Sequence, residues 1–76
     1  MDQEHHSQRQ IASNALVTTN GNSLTQYVVT LSNGYVTDLF PLREEIPQTE
    51  WLQGTISLCQ DDDGRVRAYY QGKLLT

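Results

Sequence analysis

The chain has 76 residues, 37% of them hydrophobic and 18% charged, with a formal net charge of −4 and a pI near 4.8. This length allows one small domain, and the acidic balance argues against a nucleic-acid partner because the chain repels phosphate backbones. The single cysteine excludes an internal disulfide. No apolar run approaches the ~20 residues that span a bilayer and no signal peptide is recognisable, so we expect a cytoplasmic protein with no membrane partner.

The first ten residues are polar. No apolar residue lies between Asp2 and Gln10, so this stretch has no face to bury. We therefore expect residues 1–10 to form a disordered tail and residues 11–76 to form a single small β-domain. His5 and His6 lie in the tail without a third ligand at a useful spacing, so the sequence predicts no metal site there.

Three turn signals divide the rest of the chain into runs rich in Val, Leu, Ile, Thr and Tyr. They are Asn20-Gly21, Asn33-Gly34 and Asp61-Asp62-Asp63-Gly64. An Asn-Gly pair favours the type I′ turn, in which both central residues take positive φ. Sequential strands joined by such turns predict an all-β fold: a small antiparallel meander that forms a partly open barrel or sandwich.

The predicted strands cover residues 11–19, 24–32, 35–40, 55–60 and 65–71. Strict alternation of side chains places Ile11 and Leu16 on opposite faces of the first strand. Pro41 cannot donate to a strand ladder, so the third strand ends there or lies at an edge of the sheet. Gly54 permits a bulge or kink just before the fourth strand.

Acidic residues supply the first candidates for chemistry. Asp61, Asp62 and Asp63 are adjacent, whereas a calcium loop of the EF-hand type alternates its carboxylates and closes with a glutamate. We therefore expect a structural or solvating role for the three aspartates. Three glutamates on the connection after the third strand, Glu44, Glu45 and Glu50, are expected to be solvated.

Nucleophilic catalysis has no support in the sequence. Alternation places Cys59 on the strand face opposite to Ile56 and Leu58. A reactive thiol needs a nearby base or cation, and the only histidines lie in the tail, so we expect a packed, inert thiol. No hydroxyl has a His–Asp partnership and no glycine-rich phosphate loop is present. We expect no enzyme, no catalytic residue, no cofactor and no bound metal.

Aromatic residues are the richest material for a protein contact. Tyr69 faces outward beside Arg67 on strict alternation, and Trp51 belongs either to the core or to an interface. Trp51, Arg67 and Tyr69 are therefore the candidate interaction surface. The leading hypothesis is a non-enzymatic domain that acts through protein contacts, either as a homodimer or with another protein. The alternative is a small carboxylate-based metal- or ligand-binding protein.

The order of elements also resembles a known family. A strand with an Asn-Ala step (Ile11-Ala12-Ser13-Asn14-Ala15-Leu16-Val17) precedes a second strand from Tyr27 to Leu31, an Asn33-Gly34 turn and a strand opening with Tyr35-Val36. An acidic, proline-bearing linker and an apolar strand follow as Glu44-Glu45-Ile46-Pro47 and Gly54-Thr55-Ile56-Ser57-Leu58. This order resembles the N-terminal accessory β-domain of metal-dependent amidohydrolases, including the dihydroorotase-like and cytosine-deaminase-like enzymes.

The resemblance implies a fold and no activity. In those enzymes the accessory domain packs beside a catalytic barrel that carries a His-X-His metal motif, a bridging lysine and a catalytic aspartate. None of these has a counterpart in this sequence, so no functional residue carries over. The resemblance therefore implies a free-standing version of the accessory β-domain.

Overall fold

The computed structural model describes residues 8–44 and 49–76, and these residues form one curled, all-β sheet. Its strands are β1 (Gln8–Val17), β2 (Ser23–Ser32), β3 (Tyr35–Pro41), β4 (Glu50–Gln60), β5 (Val66–Tyr70) and β6 (Lys73–Leu74). They lie in the order β3-β2-β1-β4-β5-β6 and curl into an open half-barrel. The predictions of an all-β class and a partly open barrel are confirmed.

The first strand lies in the middle of the sheet. β1 pairs antiparallel with β2 and parallel with β4, while the other neighbouring pairs are antiparallel. Sequential hairpins do not predict the β1–β4 pair, because a parallel pair requires a crossover connection between its strands. The chain makes that crossover between β3 and β4.

Two strands begin earlier than their side chains suggest. β1 starts at Gln8, so the last three residues of the predicted tail belong to the sheet, where Gln8 pairs with Ser32. Backbone pairing needs no apolar side chain, which is why a polar stretch can extend a strand. β4 likewise starts at Glu50 rather than at residue 55. Residues 1–7, with His5 and His6, lie outside the described residues.

The turns follow their sequence signals with one exception. Asn33 and Gly34 have φ values of 54° and 84°, which confirms a type I′ turn between β2 and β3. At Asn20-Gly21 only the glycine has positive φ, so the type I′ prediction is wrong there. The Gly21 N–H donates to the Thr18 carbonyl at 2.9 Å, which closes a longer loop with its glycine in the left-handed region.

A kink crosses the sheet at Asn14 and its neighbours on β2 and β4. Gln26 has φ 52° and Gly54 has φ 120°, and the Gly54 N–H donates to Asn14 Oδ1 at 2.8 Å. The register between β1 and β4 shifts at this point, which confirms the bulge predicted at Gly54. Because the kink breaks strict alternation, Ile11 and Leu16 both enter the core, and the prediction of opposite faces is wrong.

The core occupies the inner face of the half-barrel. Its buried side chains are Ile11, Leu16, Val29, Leu31, Ile56, Leu58 and Ala68. The outer face has a smaller apolar site, where Ala12 and Val28 pair with each other and are 2% and 0% exposed. Both faces of the sheet are therefore apolar near the start of β1.

Curling brings together residues that a flat sheet would keep apart. Through its partner on β2, Tyr35 is level with Gln8 at the start of β1. Arg67 pairs with Cys59 and is level with residues that follow Val17 at the end of β1. The Arg67 guanidinium nevertheless lies 4.3 Å from the Tyr35 ring centroid. Such a stagger is what closing tilted strands into a barrel requires.

Candidate interaction surfaces

The structure places the three candidate residues at two separate positions. Trp51 is the second residue of β4 and pairs with Ala12. Arg67 and Tyr69 lie on β5, opposite the far end of β4, and both are half-buried. The candidate residues therefore belong to two surfaces, one around Trp51 and one around Arg67.

Trp51 forms the first surface. Its side chain is 49% exposed, although the Ala12 beside it is almost fully buried. A groove of about 430 Å³ runs past the indole, lined by the apolar residues Ala12, Leu42 and Trp51 and by the charged residues Arg43, Glu44 and Glu50. An aromatic side chain with an apolar floor and a charged rim is typical of a protein interface. We call this region the Trp51 groove.

Two arginines and a tyrosine form the second surface. Arg65 Cζ lies 3.6 Å and Arg67 Cζ 4.3 Å from the Tyr35 ring centroid, within the range of cation–π attraction. Within the described residues, neither guanidinium has a carboxylate partner, and the buried Arg67 Nε has no hydrogen-bond acceptor. We call this cluster the arginine stack. Tyr35 was not among the candidate residues, because it is 30 residues from Arg65 and only the curl of the sheet joins them.

An ion pair ties β1 to β4 beside these surfaces. Arg9 Nη2 and Nε donate to the two carboxylate oxygens of Glu50 at 2.6 and 2.8 Å, and Arg9 Nη1 donates to the Thr76 carbonyl at 2.7 Å. The hydrogen bond from Arg9 lowers the pKa of Glu50 and raises the pKa of Arg9. Glu50 is thus paired, and the prediction that it is only solvated is wrong. Glu45 lies outside the described residues.

Replacing Glu50 with glutamine is expected to reduce stability at neutral pH by no more than about 1 kcal/mol, because the pair is partly exposed and screened by solvent. The folded-state pKa of Glu50 is lowered, so the pair's contribution is present above the unfolded-state pKa and is lost as pH falls through the folded-state pKa. Urea midpoints of the wild type and Glu50→Gln should therefore differ at pH 7 and converge in acid. Glu44→Gln, at an exposed position, is the control and should leave the urea midpoint unchanged both at pH 7 and in acid.

The aspartate turn uses one of its carboxylates internally. Asp61 Oδ1 accepts hydrogen bonds from the N–H groups of Asp63 and Arg65, both at 3.0 Å. The Gly64 N–H also donates to the Asp61 carbonyl at 2.9 Å, in the same arrangement as the turn before β2. Asp61 therefore closes the turn with its side chain. In the parts of the chain that the structure describes, no three His, Cys, Asp or Glu residues are grouped to hold a metal.

Cys59 is exposed, so the expectation that it packs is wrong. Its place opposite Ile56 and Leu58 follows the predicted alternation, because both of those side chains are buried. Cys59 therefore lies on the outer face, as alternation predicts, and its side chain contacts solvent.

No protein-family model, curated protein or solved structure matches this chain. The resemblance to the amidohydrolase accessory domain stays a prediction. Over the described residues the structure contains no helix long and apolar enough to cross a membrane. Function has to be inferred from the Trp51 groove and the arginine stack.

Proposed function

We propose that this chain is a non-enzymatic β-domain that acts through protein contacts, and that the Trp51 groove binds a second copy of the chain. The observation that carries the proposal is the 49% exposed indole beside the buried Ala12. A half-exposed tryptophan at the edge of an apolar groove gains free energy when a partner covers it, and tryptophans are frequent hot spots of protein interfaces.

The charges around the groove favour a second copy as the partner. Its rim carries Arg43 together with Glu44 and Glu50, so both signs are present on one patch. In a two-fold dimer the same patch meets itself, and each cation of one copy can then face an anion of the other. A small domain also has reason to associate, because a chain of about 60 residues buries only about 60% of its unfolded surface.

Two of the described carboxylates support a role without catalysis. Glu50 is bound to Arg9, and Asp61 accepts two backbone hydrogen bonds within its own turn. Carboxylates held in this way are poor candidates for proton transfer, which requires a group that can exchange protons with a substrate. No observation favours the alternative of a carboxylate-based metal or ligand site.

Sedimentation velocity between about 1 and 200 μM tests the proposal. We expect the wild type to form a dimer in the tens of micromolar range and Trp51→Ala to weaken it by about 30-fold, the loss typical of a hot-spot residue. Leu74→Ala is the matched control, because among the residues that the structure describes Leu74 is the other large exposed hydrophobic residue, at 40% exposure. It should leave the dimer unchanged.

Two results would contradict this assignment. A wild type that stays monomeric at the highest concentration would remove the second copy as a partner. Equal weakening by Trp51→Ala and Leu74→Ala would show that the Trp51 groove is not the contact. Circular dichroism of both variants confirms that each retains the β-sheet.

A further inference from the structure

We propose that the arginine stack is a binding site for a carboxylate carried by an acidic peptide segment of a partner protein. This inference goes beyond self-association and uses Arg65, Arg67 and Tyr35, none of which lines the Trp51 groove. The two proposals can therefore fail independently.

The two guanidinium groups share one aromatic ring. Arg65 and Arg67 lie over the Tyr35 ring at 3.6 and 4.3 Å from its centroid. An arginine that stacks on a ring engages its π-face and keeps the N–H groups at its edge available. Those N–H groups form a planar fork that matches the two oxygens of a carboxylate. The stack thus presents donors in the arrangement that bidentate recognition uses.

The two arginines of the stack lack internal hydrogen-bond partners among the described residues. Arg65 and Arg67 donate no side-chain hydrogen bond to any described residue, and Arg67 Nε is buried without an acceptor. Arg9 is the contrast, because its guanidinium is bonded to Glu50 and Thr76. Arg67 Nε is itself closed to a ligand, but the Nη groups of both arginines donate to no described residue, so an incoming carboxylate can accept from them without breaking an internal hydrogen bond.

The Arg67 side chain is held in place before any ligand binds. Gly34 belongs to the type I′ turn before β3 and is buried, and a Cβ built there would lie 3.6 Å from Arg67 Nη2. The turn and the Tyr35 ring therefore both lie close to the Arg67 guanidinium. An arginine that is already ordered loses less side-chain entropy when it binds a ligand.

The surrounding charges select the class of ligand. Arg65 directly follows the aspartate turn, in which Asp62 and Asp63 are exposed, and the whole chain carries a net charge of −4. A long polyanion such as a nucleic acid would be repelled by this surface. A short acidic segment can place one or two of its carboxylates on the stack and leave the rest of its length outside the acidic region.

An NMR titration of the full chain with capped hexaglutamate tests the site, with capped hexaglutamine as the uncharged comparison. We expect saturable shifts of the Gly34, Tyr35 and Arg67 amides and of the arginine Nε signals with hexaglutamate only. Arg67→Gln and Arg65→Gln should each weaken binding by about tenfold, as expected for loss of a charge-assisted hydrogen bond. Lys73→Gln removes the same charge at an exposed residue outside both surfaces and should not alter the affinity.

Several outcomes would overturn the proposal. They are no saturable shift with hexaglutamate, an equal loss of affinity in Lys73→Gln, and tighter binding of inorganic phosphate or a thymidine oligonucleotide than of hexaglutamate. Arg65→Gln keeps the test valid if Arg67→Gln loses its fold, because Arg65 is exposed at the end of the turn. Trp51→Ala should bind hexaglutamate as the wild type does, which separates this site from the proposed dimer contact.

Discussion

Replacing Ile56 with alanine is expected to lower the free energy of unfolding by about 2–5 kcal/mol. Ile56 is fully buried, pairs with Leu16 on β1 and Tyr70 on β5, and belongs to the single core of the inner face. At roughly 0.05–0.15 kcal/mol per residue, a domain of this size has only about 4–11 kcal/mol in total. The melting temperature should therefore fall by at least about 10 °C.

Ser57→Ala is the matched control for this substitution. Ser57 is the next residue of β4, is exposed and faces away from the core. Its replacement should change stability by less than about 0.5 kcal/mol, as is usual for surface positions. Urea denaturation of the three proteins measures the difference. Similar midpoints for Ile56→Ala and Ser57→Ala would show that β4 does not pack as described.

Replacing Gly54 with asparagine should cost about 2 kcal/mol, within the range for a residue forced into a sparsely populated backbone conformation. Gly54 has φ 120°, well outside the left-handed well near 57° that asparagine tolerates. A Cβ at this position would lie 3.6 Å from Tyr70 Cε1, an ordinary contact. The expected cost therefore comes from the backbone rather than from a clash.

Gly72→Asn is the matched control for this substitution. Gly72 has φ 79° and no atom near its Cβ position, so asparagine can occupy it at a cost of less than about 1 kcal/mol. Thermal melts of the two variants should rank Gly54→Asn clearly below Gly72→Asn. Equal melting temperatures would mean that the kink at Gly54 relaxes without loss of stability.

Local chemistry made several features predictable. Asn33-Gly34 encodes its turn because both residues accept positive φ. Pro41 ends β3, which lies at an edge of the sheet, because proline cannot donate to a further ladder. Gly54 permits its bulge because glycine tolerates positive φ. Each of these signals acts within a few residues, so no knowledge of the rest of the chain is needed.

Periodicity failed where distant strands impose a kink. Alternation separates Ile11 from Leu16, but the positive φ of Gln26 and the bond from Gly54 to Asn14 bend three adjacent strands together. Glutamine has no special preference for that conformation, so its sequence position carries no signal. The same holds for the polar start of β1, whose place in the sheet depends on backbone pairing with β2.

The sequence by itself determined the β class and the positions of the main turns, because these follow from side-chain type and spacing over a few positions. Only the tertiary structure decided the parallel β1–β4 pair, the Arg9–Glu50 ion pair and the stack of two arginines on Tyr35. These contacts join residues about 30 to 40 positions apart, and they form only when the tilted strands curl and bring opposite ends of the sheet together. Both candidate surfaces depend on that curl or on the central place of β1, since neither Ala12 beside Trp51 nor Tyr35 beside Arg67 is a neighbour in sequence.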